Sequence, residues 1–298
     1  MSYESAVWRS WVHCAKESTY GTKATSGWSA VRFLGGFDMI AKPEKIDLSG
    51  TDERRSQVEM VKGNTRVEGT ISDIQLQPDA FGVILEAALG SVSSGVYTVL
   101  NGTLPSLSLE VAYGGHVFEV LGAKVNTLRI EGEAGNLITA NVGLVAQKMR
   151  ELSSPTSRTY STKKPFVCYK ATLTWGGNEV RAQRFAIELN NNLRYPFWEL
   201  GSEYSAEPSE GRVEITGEFR AIWDSLDEYN DFINCTRGAL VINAQNTDGD
   251  TMEIRLGNIE LTDFGFDRGD QDFDQTLNFK ALYDSTDASP IKVTVTTV

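Results

Sequence analysis

The strand pattern of this chain occurs twice, and a chain that repeats itself has to bury two similar apolar faces. Residues 122–131 and 136–146 align with residues 257–266 and 271–281, and a single offset holds across both blocks. That offset sets Val142 and Leu144 on Leu277 and Phe279, apolar on apolar within an alternating run. Upstream, Gly69 aligns with Gly217. Val67 and Ile71 then meet Ile215 and Phe219, while Glu68, Thr70 and Ser72 meet Thr216, Glu218 and Arg220. Both faces stay in register, as the two-residue period of a strand requires.

One short helix is expected after each of these strands. In the first copy Phe81, Ile84, Leu85, Ala88 and Leu89 form a stripe at helical spacing, and Gly90 suits the stop. In the second, Ser225 and Glu228 read as a capping box, with Leu226, Tyr229 and Ile233 turned inward. Hairpins follow in both. Gly114-Gly115 separates strands near 106–113 and 116–121, and Asp248-Gly249 separates 238–245 from 251–256. Residues 151–164 are polar and aperiodic, a linker or surface loop, and residues 291–298 alternate like an added strand or an arm to a neighbour. The expected class is mainly β, with two repeated sandwich or barrel domains, each carrying one short helix. The division is 1–150 for the first domain, 151–164 for the linker, 165–284 for the second domain and 285–298 for a C-terminal strand or arm.

Composition narrows the function. Hydrophobic residues make up 41% of the 298, enough for a packed core, and 28 basic against 40 acidic residues leave a net charge of −12. A protein that grips nucleic acid clusters Lys and Arg against phosphates, and this chain has no such cluster. The opening residues Met1 to Glu4 lack the basic stretch and apolar run of a signal peptide, and no apolar segment reaches the length of a membrane span. Cys14, Cys168 and Cys235 are odd in number and far apart, which fits reduced thiols in a protein made in the cytoplasm better than one disulfide and a free thiol.

Several stretches resemble the tail tube proteins of tailed bacteriophages, a family related to type VI secretion tube proteins. Glu17, Tyr20 and Gly21 are similar to the family's E-x-x-Y-G opening. Residues 69–90 resemble its strand-to-helix passage, residues 104–109 the strand after the helix, and Pro165-Phe166 and residues 186–191 the opening of the second half in longer members. The resemblance implies a structural virion protein, not an enzyme, located in the virion tail and without a membrane anchor or cofactor. Its domains join in a barrel around a channel, six domains to a ring, with rings stacked around a tape-measure protein. DNA later passes through without specific binding. If each half supplies one domain, three chains make a pseudo-hexameric ring; the alternative is a true hexamer. Implied partners are other copies of the chain, the tape-measure protein, a tail terminator, baseplate proteins and, where the tail is contractile, a sheath.

A wall of this kind needs a polar lining. The expected lining is Glu68, Thr70 and Ser72, Glu188 and Asn190, and Glu214, Thr216, Glu218 and Arg220, a carboxylate-rich face that repels phosphate. The same alternation also suits an ordinary solvated sandwich face. Asp52, Glu53, Arg54 and Arg55, between two strand-like runs, are the expected ring-stacking loop, against the reading of a plain surface turn. Other chemistry is weakly supported. The acidic run 267–274 lacks the ligand spacing and terminal Glu of a calcium loop, Asp248-Gly249 is explained by its hairpin, and Arg268-Gly269-Asp270 is short enough for chance. His13 and Cys14 are strand neighbours that point to opposite faces, so they do not make a nucleophile and base. The competing readings are a carbohydrate-binding or hydrolytic sandwich module, and a baseplate or tail-terminator protein of the same fold.

Overall fold

The computed structural model describes residues 9–48, 59–268 and 273–298. Its first half runs β1 (Trp11–Lys16), β2 (Ser29–Val31), β3 (Phe33–Phe37), β4 (Ile40–Asp47), β5 (Met60–Gln75), α1 (Gly82–Leu89), β6 (Gly90–Ser93), β7 (Val96–Val99), β8 (Leu107–Tyr113), β9 (His116–Glu133), β10 (Thr139–Ala146) and β11 (Lys148–Glu151). The second half runs β12 (Thr172–Trp175), β13 (Asn178–Val180), β14 (Ala182–Asn190), β15 (Glu214–Ile222), α2 (Asp227–Ile233), β16 (Arg237–Gln245), β17 (Thr251–Arg268), β18 (Phe273–Ala281) and β19 (Lys292–Thr296). The fold is mainly β, with one short α-helix in each half.

The main sheet is an antiparallel arc of eight strands in the order β4, β5, β10, β9, β14, β15, β18, β17. Its two halves repeat in detail. Val142 lies opposite Ile71 and Leu144 opposite Gly69 in the first, while Leu277 lies opposite Phe219 and Phe279 opposite Gly217 in the second. The paired glycines have a common cause. A Cβ on Gly69 would stand 2.4 Å from the Asp38 carbonyl oxygen, and one on Gly217 would stand 2.5 Å from that of Ala186. Each glycine admits the backbone of the preceding strand at a distance that a side chain forbids.

Residues that sequence reading divides between two segments form single strands, β9 and β17, each of 18 residues. The front of β9 pairs with β8 and β11 in a second sheet that also holds β1 and β2, and its rear joins the arc. Gly122, at φ +66, lies where it passes between them. The front of β17 pairs likewise with β16 and β19 before its rear joins β18. Both rear halves carry a bulge that skips Asn126 in one and Thr262 in the other. Past the bulge the pairing matches Leu128 with Phe264, one residue beyond the offset read from the sequence.

The helices differ. The apolar stripe of α1 buries Ile84, Leu85, Ala87, Ala88 and Leu89, and Gly90, at φ 90, ends it by donating its N–H to the Glu86 carbonyl. In α2 the Ser225 hydroxyl does reach Glu228, 3.2 Å away, but the helix buries no residue. Leu226 and Ile233, expected inward, are 59% and 58% exposed, with no described residue covering that side of the helix.

Several connections bind the halves. Strand β9 pairs with β14 across the middle of the arc. Strand β19 lies between β17 and β7, so the alternating C-terminal run pairs on both sides within the chain. Residues 152–160 lie along the second sheet, where Thr156 donates to buried Glu110 and the Arg158 guanidinium sits 3.7 Å over the Trp11 ring, and Lys163 and Lys164 then bond to the 246–250 turn. The segment between β14 and β15 crosses back over the first half. There Asn191 donates to the carbonyls of Ala88 and Val125, and fully buried Lys124 meets Glu207 at 2.8 Å and Glu210 at 2.7 Å. Burial works against the charge on Glu210, but hydrogen bonds from Lys124 and the Leu104 N–H hold its carboxyl below the ordinary glutamate value.

The E-x-x-Y-G segment is the cornerstone of the second sheet. The buried Glu17 carboxylate accepts from the Ser106 and Ser108 hydroxyls at 2.6 and 2.9 Å and from the Gly21 and Gly122 N–H groups at 2.8 and 2.9 Å. Tyr20 packs directly beneath Gly122. Glu17→Ala strands these donors and is expected to cost about 3 kcal/mol, because a buried group left without its partner loses ~1–3 kcal/mol. Glu17→Gln keeps part of the set, so thermal unfolding should rank the native chain above Gln and Gln above Ala. An Ala variant that melts with the native chain would show that Glu17 holds nothing together.

Candidate assembly surface

The nine residues expected to line a channel lie on one face of the arc. Glu68, Thr70 and Ser72 alternate with the buried side chains of β5, Glu188 and Asn190 with those of β14, and Glu214, Thr216, Glu218 and Arg220 with those of β15. Strand pairing carries this face across the sheet. One row of opposed residues runs Asn141, Arg129, Glu188, Thr216, Lys280 and Glu260, from β10 to β17.

Its charges are mixed, which differs from a plain carboxylate wall. Arg129 lies 3.2 Å from Glu131, 3.5 Å from Glu188 and 3.6 Å from Glu218, joining three carboxylates across β9, β14 and β15. Arg184 reaches Glu131 at 3.7 Å and Glu218 at 3.8 Å. Arg220 pairs with Asp274 at 2.7 Å, Lys42 with Glu68 at 3.0 Å, and Lys280 with Glu214. The Lys280 hydrogen bond, then its charge, holds the Glu214 carboxyl below its ordinary value. Thr70 donates to Asp38 beside the outermost strand. The face therefore brings Glu188 and Glu218 together around one arginine and sets Glu68, Thr70 and Glu214 in separate local pairs.

Sequence reasoning missed Arg129, Glu131, Arg184, Lys280 and Asp274. The signal was present, since Thr127, Arg129 and Glu131 alternate with buried Leu128 and Ile130. Acidic Asp274 belongs to the run 267–274 and is an ion-pair partner on β18 opposite Asp267, whose carboxylate accepts from Thr276 at 3.0 Å. The turn between them, and the expected stacking residues Asp52, Glu53, Arg54 and Arg55, lie outside the described residues. The 246–250 turn has its acids engaged from within the chain, Asp250 by Lys163, the Asn246 amide and the Val298 N–H, and Asp248 by the Lys164 N–H.

The arc ends on two open edges. Among the described residues, β4 pairs with β5 alone, and β17 beyond Glu260 pairs with β18 alone. An unpaired edge is a row of free backbone donors and acceptors, a template for another strand. Beside the β17 edge, Trp223, Tyr229, Phe232, Phe264 and Phe266 form one aromatic cluster, with Phe266 54% exposed. At the other end, β4 and β5 form a hairpin whose Ile46, Leu48 and Met60 are exposed.

A family model described as phage tail tube protein matches residues 9–281. The chain belongs to the phage tail tube protein family. No curated protein matches it as a relative. Membership gives the polar face, the open edges and the exposed hairpin a shared context, because a tube wall is a structure that copies of one chain complete together. Among the described residues no helix is long and apolar enough to cross a membrane.

The Arg129 cluster is partly exposed, so its contribution is modest and screened by salt. Arg129→Ala is expected to lower the stability of the single chain by about 1 kcal/mol at low ionic strength. The deficit should shrink in molar salt, read by urea unfolding at both concentrations. An equal deficit at both would mean that Arg129 acts by packing instead of charge.

Proposed function

We propose that the chain forms the wall of the tail tube of a tailed bacteriophage, a structural role without catalysis. Copies close head to tail into rings, the rings stack, and the polar face of the arc lines the conduit through which DNA leaves. The observation that carries this reading is an eight-strand antiparallel arc with a continuous polar face and, among the described residues, an end strand open on its outer side at each end. Closing it across copies satisfies both edges.

The repeated pairing of β5, β10 and β9 by β15, β18 and β17 supports two tube domains per chain, and so a ring of three chains with pseudo-six-fold symmetry. A hexamer of whole chains is the alternative. Head-to-tail contacts of this type form rings when the rotation closes. The lining suits passage of DNA. Its arginines and lysines are already held by carboxylates, and the chain carries a net charge of −12, so a phosphate gains little by stopping. The β4–β5 hairpin, with Ile46, Leu48 and Met60 exposed, suits stacking, with Arg54 and Arg55 meeting acidic groups of the next ring. Partners of such a tube are the tape-measure protein inside it, a terminator and a baseplate at its ends, and a sheath where the tail contracts. The chain is made in the host cytoplasm and ends in the virion tail.

Negative-stain microscopy of concentrated protein, with mass photometry, tests this. Hollow rings or tubes at three chains per ring are expected. Six chains would keep the tube and discard the trimer, and a monomer that binds glycans and never forms rings would overturn both. In tubes from the Arg54→Glu, Arg55→Glu double variant, length and yield should fall while single rings persist. Unchanged tubes would remove the stacking role of that loop.

A further inference from the structure

The seam between the two halves of the chain has every element that a seam between copies would need, apart from the identity of its residues. Within the chain, Leu128 of β9 faces Leu189 of β14, Ile130 faces Ile187 and Thr127 faces Asn190. Each of these strands has a counterpart on an open edge. Leu128 corresponds to Phe264, since the one pairs with Val142 and the other with Leu277 at matching positions of the arc. Ala186 corresponds to Asp38, since their carbonyls crowd Gly217 and Gly69 in the same way, and so Leu189 corresponds to Ala41. Burial agrees with this correspondence. Leu128 and Ile130, covered by β14, are 4% and 3% exposed, whereas Phe266, the counterpart of Ile130, is 54% exposed for want of such a strand.

We propose that β4 and the residues just before it add to the free edge of β17 in a second copy of this chain, antiparallel, in the register of the internal seam. Ala41 then lies opposite Phe264, Met39 opposite Phe266, Ile40 opposite Gly265 and Lys42 opposite Asp263. An even number of strands in the arc leaves its two end strands running in opposite directions, which an antiparallel head-to-tail seam requires. Lys42 sits on the polar face beside Glu68, so Asp263 adds a second carboxylate to that cation.

The two seams differ in chemistry. The internal one is crossed by Arg129 and its carboxylates, but the counterparts of Arg129 and Glu188 at the outer one are Gly265 and Ile40. The outer seam covers Phe266 with Met39 and leaves Ile40 on the lining face opposite Gly265, and α2 packs Tyr229 and Phe232 on Phe264 beside it. A contact of that composition is held by apolar burial and strand pairing, with the ion pair fixing register, so it persists in salt.

This inference rests on the ring reading and is tested separately from it. In a Cys235→Ser background, Lys42→Cys with Asp263→Cys places two thiols on directly opposed residues, at strand spacings that a disulfide spans. Mild oxidation of assembled protein should give covalent multimers at least ~10-fold faster than the displaced pair Lys42→Cys with Gly265→Cys, whose positions are a diagonal apart. Phe266→Lys, at a half-exposed member of the aromatic cluster, should abolish rings while the single chain still folds cooperatively with a modestly lower melting temperature, and molar salt should leave native rings intact. Rings that form while the displaced pair cross-links as well as the opposed pair would overturn this seam and leave the tube standing. Rings that dissolve in salt, or persist in Phe266→Lys, would also overturn it. Protein that forms no rings under any condition would remove both readings.

Discussion

A β-strand cannot leave its backbone N–H and C=O groups unpaired without a cost, and the layout of this chain follows from how those groups are satisfied. Inside the arc every strand has two neighbours. At the middle, β9 and β14 join halves that a shorter protein would have to present as separate molecules. At the ends, β4 and the rear of β17 retain open sides. The organisation of the rest, with glycines that admit close backbones and bulges that turn the long strands, serves to keep these edges parallel to the same polar face.

Charge is used differently in three places. Across the wet face it forms a shallow cross-strand ladder in which Arg129 gathers three carboxylates, each pair contributing little alone. Under the segment between β14 and β15 it is buried, with Lys124 tied to Glu207 and Glu210, where losing one partner costs far more than the intact pair contributes. In Glu17 a single carboxylate is surrounded by hydroxyl and backbone donors and serves as a joint between segments distant in sequence. The segment from Glu17 to Gly21 thereby serves as a structural device that braces the second sheet.

Much of the arc was legible because strand alternation survives even where residue identity does not. Gly69 and Gly217, the stripe of α1 and both hairpin turns fall where the sequence pattern places them. The continuity of β9 and β17 was hidden because a strand that changes sheets looks like two strands with a glycine between them. Amphipathic spacing in α2 announces an apolar side, but says nothing of which molecule covers it. Lys124 defeated pattern reading for a related reason: a lysine signals solvent unless its partners are known, and these come from the segment between β14 and β15 in the other half of the chain. The lining was half legible. Alternation marks which residues are wet, while the arginines among them matter only once β9 is known to lie against β14.

The position of β19 has a consequence in time. Strand β7 depends on it for its outer neighbour, and Ser289, just ahead of β19, closes onto Val99 across 190 residues of chain. At roughly 5–20 residues per second, a ribosome needs on the order of ten to forty seconds to make that stretch. Through this interval the β6–β7 hairpin exists with one side bare, and the halves are joined only by elements already made. A nascent chain therefore passes through a stage when its temporary edges resemble its permanent ones, and pairing with the wrong copy competes with its own completion. Insertion of β19 removes the temporary edge of β7, while the outer sides of β4 and of the rear of β17 stay open among the described residues.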